Sequence, residues 1–233
     1  MNHITPEQAG ISSDAILQFI QLLEEKQLST HNLIFMKGNN VFFEKYWAPF
    51  HKDFLHRMYS VSKSFVSIAV GFAEQDGLLS LDDKISKYFP EETKNLTDEN
   101  MLNQTIRHML MMSTAKPAEY WFDARTDDRV RFYFENKAEN SRPSGTVYEY
   151  DSQGYGYLFW RTYENSYFFN GMGCQYAVCV PDKDLIMVYN GDNQGKIMAK
   201  KIIFDGFFSM IADRISDTPL PEDAEAQKNL ESA

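Results

Sequence analysis

A chain of 233 residues, 43% of them hydrophobic and 24% charged, is long enough to bury a substantial core and has the composition of a globular protein. Its 33 acidic residues outnumber its 23 basic residues, which gives a formal net charge of −10. Because phosphate backbones and anionic membranes are bound by clustered lysine and arginine, this balance argues against nucleic acid and membrane surfaces as partners.

The N-terminal part of the chain predicts a helix followed by a β-hairpin. Ser12 and Ser13 can cap a helix whose apolar residues lie on one stripe. Two β-rich runs then flank a turn at residues 37–40, which is typical of a hairpin.

A second helix is predicted from about residue 60 to residue 75, where apolar positions recur at helical spacing. Gly77 can end this helix in the left-handed conformation. We then expect a turn and a short helix that ends before Pro90, followed by a short apolar helix in the stretch TIRHMLMMS.

The C-terminal half changes from helical to strand patterning. Residues 128–137 are predicted to be helical. After Gly145, strands are predicted from five runs: TVYEYDS, GYGYLFWRT, SYFFNG, CQYAVCV and DLIMVYN. Residues 181–184 join the last two runs as a hairpin, residues 196–215 predict a final helix, and the polar tail from Asp217 is predicted to be disordered. The predicted fold is α+β, with an antiparallel sheet flanked by N- and C-terminal helices.

The location of the protein is indicated by three features. The N-terminus lacks a basic stretch followed by an apolar run, so no signal peptide is predicted and we expect a cytoplasmic protein. The longest apolar stretch, residues 65–73, is too short to span a bilayer. Cys174 and Cys179 have an odd spacing on one predicted strand, which places them on opposite faces, so no intrachain disulfide is expected.

Ser60 and Lys63 form an S-x-x-K motif at the start of the second predicted helix. Residues three apart lie on the same side of a helix, so the lysine can reach the serine hydroxyl. A serine hydroxyl is a weak nucleophile that needs an adjacent base, and a lysine can act as that base when burial or a neighbouring cation lowers its pKa. Free N–H groups at the helix start would favour developing negative charge. The alternative interpretation is a serine-rich helix start with an exposed lysine.

Other catalytic systems find less support in the chain. A second S-x-x-K match, from Ser113 to Lys116, precedes Pro117, which disfavours a helical Lys116 and separates the two side chains. The sequence has no G-x-S-x-G, no C-x-x-C and no phosphate-binding glycine loop. The five histidines lie in the first half without metal-ligand spacing and are interpreted as surface or capping residues. We therefore expect no metal and no cofactor.

The stretches HRMYSVSKSF, GLLSLDDKISKYFPE and TIRHMLMMS, in this order, resemble the serine β-lactamase-like hydrolases. This S-x-x-K family includes class C β-lactamases, penicillin-binding proteins, esterases and 6-aminohexanoate-oligomer hydrolases. The stretches ITPEQAGISSDAI, GYGYLFWR and NGMGCQYAVCVPDKDLIMVYNGD extend the resemblance from Pro6 to about Ile215. The resemblance implies a β-lactamase/transpeptidase-like fold.

The family's first two motifs imply roles for individual residues. The nucleophile falls on Ser60 and the lysine base on Lys63. The second motif, Tyr-x-Ser, implies that Tyr150 relays a proton to the leaving group and that Ser152 binds substrate. Tyr148 is the nearby alternative to Tyr150, and it is interpreted as a packed strand aromatic.

The family's third motif, Lys-Thr-Gly in many members, corresponds here to a glycine-rich stretch. The family's oxyanion hole comes from two backbone N–H groups, which the resemblance places on Ser60 and on a residue near Met172. The oxyanion and substrate-binding residues that the resemblance implies are Ser60, Ser152, Gly171, Met172, Gly173 and Gln175. The glycines would let a substrate approach an edge strand closely, and a bulge or a bend is the alternative. Cys174 stands where relatives often have a third glycine.

The chain departs from the family in one large respect, because YEYDSQ runs directly into GYGYLFWR where relatives carry a long helical subdomain. We therefore expect one domain over residues 1–216, with a sheet region from 1–56 and 145–216, a reduced helical region over 57–144, and a disordered tail over 217–233. The face left by the missing helices is a candidate surface for a homo-oligomer.

The resemblance implies a serine hydrolase that acts through an acyl-enzyme on a small-molecule ester or amide. Without Lys-Thr-Gly the site lacks the cation that β-lactam carboxylates usually meet, so small esters and amides rank above β-lactams. The alternative function is a non-catalytic or degenerate scaffold of this fold, which binds a ligand or is acylated without turnover.

Overall fold

The structure is a computed structural model that describes residues 1–113, 153–163 and 165–233. The chain divides into two units, one formed by Met1–Ser64 and Phe159–Ala233 and the other by Phe65–Leu158. The predicted helix at 128–137 and the predicted strand in TVYEYDS fall outside the described residues.

The first unit is built from helices and strands at both ends of the chain. Its elements are β1 (Asn2–His3), α1 (Pro6–Ala9), α2 (Ser13–Glu25), β2 (Thr30–Lys37), β3 (Asn40–Tyr46), β5 (Phe159–Arg161), β6 (Tyr167–Gly171), β7 (Gln175–Val180), β8 (Leu185–Gly191), α7 (Ala199–Gly206), a π-helix (Phe207–Ala212) and α8 (Ala224–Ser232). Ser12 caps α2 by accepting a hydrogen bond from the Ala15 N–H, which confirms the predicted helix start.

The sheet of this unit has the strand order β1-β3-β2-β8-β7-β6-β5. Both predicted hairpins are present: β2 pairs antiparallel with β3, and β7 pairs antiparallel with β8. The β7–β8 connection is a short 3₁₀ turn, Pro181–Lys183, followed by Asp184 at φ +50°. The short strand β1 adds to β3 in parallel. The predicted α+β class with a largely antiparallel sheet is confirmed.

The core lies between one face of this sheet and the helices. Phe35 of β2 and Met187 of β8 are paired in register, so their side chains lie on the same face of the sheet. Both residues are fully buried. The ring of Phe35 lies 6.0 Å from that of Phe19 on α2 and 6.1 Å from that of Phe207 in the π-helix. This two-layer packing leaves the opposite face of the sheet for the polar residues of the site.

The C-terminal region differs from the prediction. The final helix begins at Ala199 rather than near residue 196 and passes into the π-helix. The tail from Asp217, predicted to be disordered, contains helix α8, which packs against α2 and whose residues Ala226 and Leu230 are buried one turn apart. The spacing of these two apolar residues is enough to dock an otherwise polar helix.

The second unit is described for residues 65–113 and for 153–158. Helix α3 (Val61–Gln75) begins in the first unit and ends before Gly77, which adopts φ +71° as predicted. The remaining elements are a 3₁₀ turn (Ile85–Lys87), α4 (Pro90–Thr93), α5 (Glu99–Leu102), α6 (Ile106–Leu110) and β4 (Tyr155–Gly156).

Two elements of this unit differ in detail from the prediction. The short helix expected to end before Pro90 is a 3₁₀ turn, Ile85–Lys87, and Pro90 itself begins α4, because proline fits the first turn, where its missing N–H has no helical partner. The strand predicted in GYGYLFWRT is broken into β4 and β5 by Tyr157 and Leu158, which have φ of +51° and +66°. No described helix is long and apolar enough to cross a membrane.

Candidate active site

Ser60 and Lys63 lie together at the start of α3, in the first unit. Ser60 is the residue before the helix, and the Lys63 N–H donates to the Ser60 carbonyl oxygen at 3.0 Å. This first turn brings the Lys63 Nζ to 2.8 Å from the Ser60 Oγ, with Nζ donating the hydrogen bond. A proton can pass directly across such a distance between a hydroxyl and an amine. The start of α3 thus holds a hydroxyl and an amine within hydrogen-bond reach of each other.

The segment before Ser60 turns sharply. Tyr59 has φ +49°, in the left-handed region that non-glycine residues seldom adopt. The Met58 carbonyl oxygen accepts a hydrogen bond from the Val61 N–H at 3.2 Å. The turn leaves the Ser60 side chain half-buried at the helix start.

The glycine-rich stretch forms the turn between β6 and β7. Strand β6 ends at Gly171 and β7 begins at Gln175. Gly173 and Cys174 between them have φ of +81° and +75°. Met172 at the tip of the turn is 60% exposed. The backbone at Cys174 is thus in the left-handed conformation, which glycine adopts at less cost than any other residue.

This turn lies against the segment that carries the nucleophile. A Cβ atom at Gly171 would lie 2.5 Å from the Met58 carbonyl oxygen, so the two backbones touch where only glycine fits. In the described part of the chain neither the Ser60 N–H nor the Met172 N–H has a hydrogen-bond acceptor. The contact between Gly171 and Met58 therefore brings the turn that carries Met172 next to the segment that carries Ser60.

The Gln175 side chain holds this turn in place through hydrogen bonds. Its side chain is 1% exposed, and its Nε2 donates to the Met172 carbonyl oxygen at 3.1 Å and to the Gly191 carbonyl oxygen at 2.5 Å. Its Oε1 accepts from the Asn190 Nδ2 at 3.0 Å. Both the Nε2 and the Oε1 of the Gln175 amide are thus hydrogen-bonded within the protein, which suits a supporting role better than direct contact with a substrate.

Tyr150 and Ser152, predicted as the proton relay and a substrate-binding residue, lie outside the described residues. Their roles stay predictions. The described site residues, Ser60, Lys63, Gly171, Met172, Gly173 and Gln175, all belong to the first unit.

Two histidines that sequence analysis did not connect meet next to the site. His31 Nδ1 lies 2.6 Å from His56 Nε2, and His56 Nδ1 lies 3.1 Å from the Arg57 carbonyl oxygen. Burial and the neighbouring His56 lower the pKa of His31, while Asp192 acts in the opposite direction. The pair ties β2 to the loop that leads into Ser60. The two residues are far apart in the sequence, so no local pattern could reveal their contact.

The other groups of interest are structural. His108 completes a capping box with Thr105 at the start of α6, which confirms its interpretation as a capping residue. Cys174 and Cys179 are both free, and burial raises the pKa of each thiol, which disfavours the nucleophilic thiolate. Among the described residues, no cluster of three or more His, Cys, Asp or Glu side chains could hold a metal ion.

A cavity of about 330 Å³ lies in the first unit, next to the segment that precedes Ser60. It is lined by His31, Phe50, Phe54, Leu55, His56, Arg57, Tyr59, Gln175, Gly191 and Asp192. The cavity carries both acidic and basic groups, so its charge does not select one class of ligand.

Residues 18–161 match the family model described as Beta-lactamase, which is more than half of the chain. An uncharacterized protein of Alkalihalophilus pseudofirmus is 31% identical over 88 residues, which are 34% of this chain and 25% of that protein. The matched segment is thus a quarter of the length of this relative.

Two solved structures share the fold at low sequence identity. A protein of Bacillus anthracis assigned as a 6-aminohexanoate-dimer hydrolase aligns over 91% of this chain and 86% of its own, with a TM-score of 0.57 and 11% identity. A protein of Bacteroides dorei DSM 17855 assigned as a β-lactamase aligns over 83% of this chain and 97% of its own, with a TM-score of 0.52 and 13% identity.

Proposed function

Since the chain belongs to the Beta-lactamase family, we propose that it is a serine hydrolase that forms an acyl-enzyme at Ser60 with a small ester or amide. The observation that carries the proposal is the 2.8 Å hydrogen bond between Lys63 Nζ and Ser60 Oγ at the start of α3. A serine hydroxyl paired with a base in this way has what nucleophilic catalysis requires.

In the proposed acylation step, Lys63 in its neutral form removes the Ser60 proton while Oγ attacks the substrate carbonyl carbon. The tetrahedral oxyanion is held by the backbone N–H groups of Ser60 and Met172. The bond to the leaving alcohol or amine then breaks, and the leaving group takes the proton from Lys63, with Tyr150 as the proposed relay.

In the proposed deacylation step, water attacks the Ser60 ester and Lys63 accepts its proton. As the bond between the acyl carbon and the Ser60 Oγ breaks, Lys63 gives this proton to Oγ, the acid leaves, and the hydroxyl and the free base are restored. Both steps use Lys63, whose Nζ lies 2.8 Å from the Ser60 Oγ, within the reach that general acid–base catalysis requires.

The chemistry of the turn supports small esters and amides as the substrate class. The position of the family's Lys-Thr-Gly is occupied by Gly171, Met172 and Gly173, so the turn offers no cation to a β-lactam carboxylate. The exposed Met172 side chain presents apolar surface instead. An uncharged acyl group fits this environment better than an anionic one.

Intact-mass spectrometry with a fluorophosphonate tests the proposal. The unchanged protein is expected to gain one adduct, Ser60→Ala to gain none, and Ser62→Ala, a serine two positions further on, to react as the unchanged protein does. Lys63→Met is expected to react roughly 10²- to 10⁴-fold more slowly, since that is the usual contribution of a general base.

Two outcomes would overturn the proposal. One is a folded, unchanged protein that gains no adduct, and the other is an adduct that persists in Ser60→Ala. A p-nitrophenyl ester assay on the same proteins then measures turnover, and a penicillin adduct that never dissociates would indicate acylation without turnover.

A further inference from the structure

We infer that Gln175 and Asn190 are positioning residues that hold the Met172 backbone at a fixed place relative to Ser60. The inference rests on the proposed function, because the oxyanion hole that it concerns is the one proposed above. It goes further in naming the side chains that keep the two donors of that hole together.

Gln175 joins the Met172 turn to the neighbouring strand β8. Its Nε2 donates to the Met172 carbonyl oxygen at 3.1 Å and to the Gly191 carbonyl oxygen at 2.5 Å, and its Oε1 accepts from the Gly191 N–H at 3.3 Å. With 1% of the residue exposed, water does not compete for these bonds. The turn is therefore held to the sheet through a side chain and not only through its own backbone.

Asn190 extends this support to the nucleophile segment. The residue is 4% exposed, and its Nδ2 donates to the Gln175 Oε1 at 3.0 Å and lies 3.4 Å from the Met58 Sδ. Met58 is two residues before Ser60. One chain of side-chain contacts thus runs from Met58 through Asn190 and Gln175 to Met172.

The support matters because the two proposed donors come from distant parts of the chain. The Ser60 N–H is placed by the start of α3, whereas the Met172 N–H is placed by the β6–β7 turn, which contains two residues in the left-handed conformation. An oxyanion hole needs its donors held to within about 0.5 Å. We therefore expect the amide of Gln175 to set the second donor without itself touching the substrate.

The test compares an ester with its thionoester in Gln175→Met, which keeps the side-chain length and removes its hydrogen bonds. Sulfur is larger than oxygen and accepts hydrogen bonds weakly, so an intact oxyanion hole strongly prefers the oxygen compound. We expect the ester-to-thionoester ratio of kcat/KM to fall roughly tenfold or more, because loss of an entire oxyanion donor costs about 10²- to 10³-fold.

Thr30→Val is the matched control. Thr30 is 8% exposed and its Oγ1 lies 3.0 Å from the Tyr189 hydroxyl, so the substitution also removes a buried hydrogen bond from this sheet. It has no bond to Met58 or Met172. We expect it to lower the melting temperature while leaving the ester-to-thionoester ratio unchanged.

Asn190→Leu is the second variant. If Gln175→Met does not fold, the ester-to-thionoester ratio is measured in Asn190→Leu instead. An unchanged ratio in the folded variant would overturn the inference, as would an equal fall in the ratio in Thr30→Val. If the unchanged protein has no Ser60-dependent activity, the proposed function itself fails, and the inference fails with it.

Discussion

Gly171 and Met58 touch so closely that a Cβ atom on Gly171 would lie 2.5 Å from the Met58 carbonyl oxygen and 2.8 Å from the Gln175 Cβ. Gly171→Ala must therefore displace the segment before Ser60 or the start of β7. We expect a loss of unfolding free energy of about 1–3 kcal/mol, the usual cost of overpacking, together with slower acylation of Ser60. Urea unfolding and the rate of fluorophosphonate adduct formation measure the two effects.

Gly71 provides the control for this prediction. It lies inside α3, and no atom of the described residues is within 4 Å of its Cβ position. Gly71→Ala is expected to raise stability by roughly 0.5–1 kcal/mol, since alanine loses less backbone freedom in a helix. Equal effects of the two substitutions would show that the contact between Gly171 and Met58 does not constrain the site.

Cys174 is strained by its left-handed backbone, with φ +75°. Replacing it by glycine relieves a cost of about 1–2 kcal/mol, whereas alanine keeps that cost and loses the same buried sulfur atom. We therefore expect Cys174→Gly to be more stable than Cys174→Ala, although glycine usually destabilises a folded protein. Thermal unfolding of the two variants measures the difference.

At Cys179 we expect the opposite order of stability, with the alanine variant more stable than the glycine variant. It lies on β7, where it pairs with Ile186 of β8. Glycine in a strand costs roughly 0.5–1 kcal/mol relative to alanine, so Cys179→Ala should be the more stable of its pair. The same order at both positions would argue against backbone strain at Cys174.

The sequence predicts the local parts of the site well. Ser60 and Lys63 are three residues apart at the start of one helix, so helical geometry alone brings the lysine amine to the serine hydroxyl. Glycines 171 and 173 are predicted to let a substrate approach an edge strand, with a bulge or a bend as the alternative. The structure places them at the turn between β6 and β7, which are interior strands of the sheet, and Gly171 lies against the Met58 backbone. The antiparallel sheet follows from short alternating runs and recognisable turns.

The parts that sequence analysis missed depend on contacts between distant residues. The register of β7 and β8 places Asn190 beside Gln175, and the loop before α3 brings His56 to His31 and Met58 to Asn190. The sequence does not predict the helix at Ala224–Ser232, because its composition is mostly polar. Its two buried residues, Ala226 and Leu230, are too few to show a helical pattern of apolar positions.

The His31–His56 pair predicts a pH dependence of stability. Burial and His56 lower the pKa of His31 below its ordinary value of 6.5, with Asp192 opposing. The folded protein then binds fewer protons than the unfolded chain, so the contribution of His31 is complete above pH 6.5 and is lost as the pH falls towards the lowered pKa. Melting temperatures between pH 5 and pH 8 should fall on the acid side, and the fall should be smaller in His31→Gln.

His51 is the control for this effect. It lies on the same loop as His56 but is exposed. His51→Gln should keep the pH dependence of the unchanged protein. A profile for His31→Gln that coincides with that of the unchanged protein would show that His31 does not contribute to the pH dependence of stability.

Helix α8 predicts that the C-terminal segment contributes to the stability of the first unit. Leu230 is 7% exposed, and on the same helix Gln227 Nε2 donates to the buried Glu7 Oε2 at 2.7 Å. Leu230→Ala should lower the free energy of unfolding by about 2–4 kcal/mol, the range for removing a buried leucine side chain. Lys228→Ala, at an exposed position of the same helix, should change it little. If the two variants unfold at the same urea concentration, the helix does not pack against α2, and a disordered tail becomes the better description.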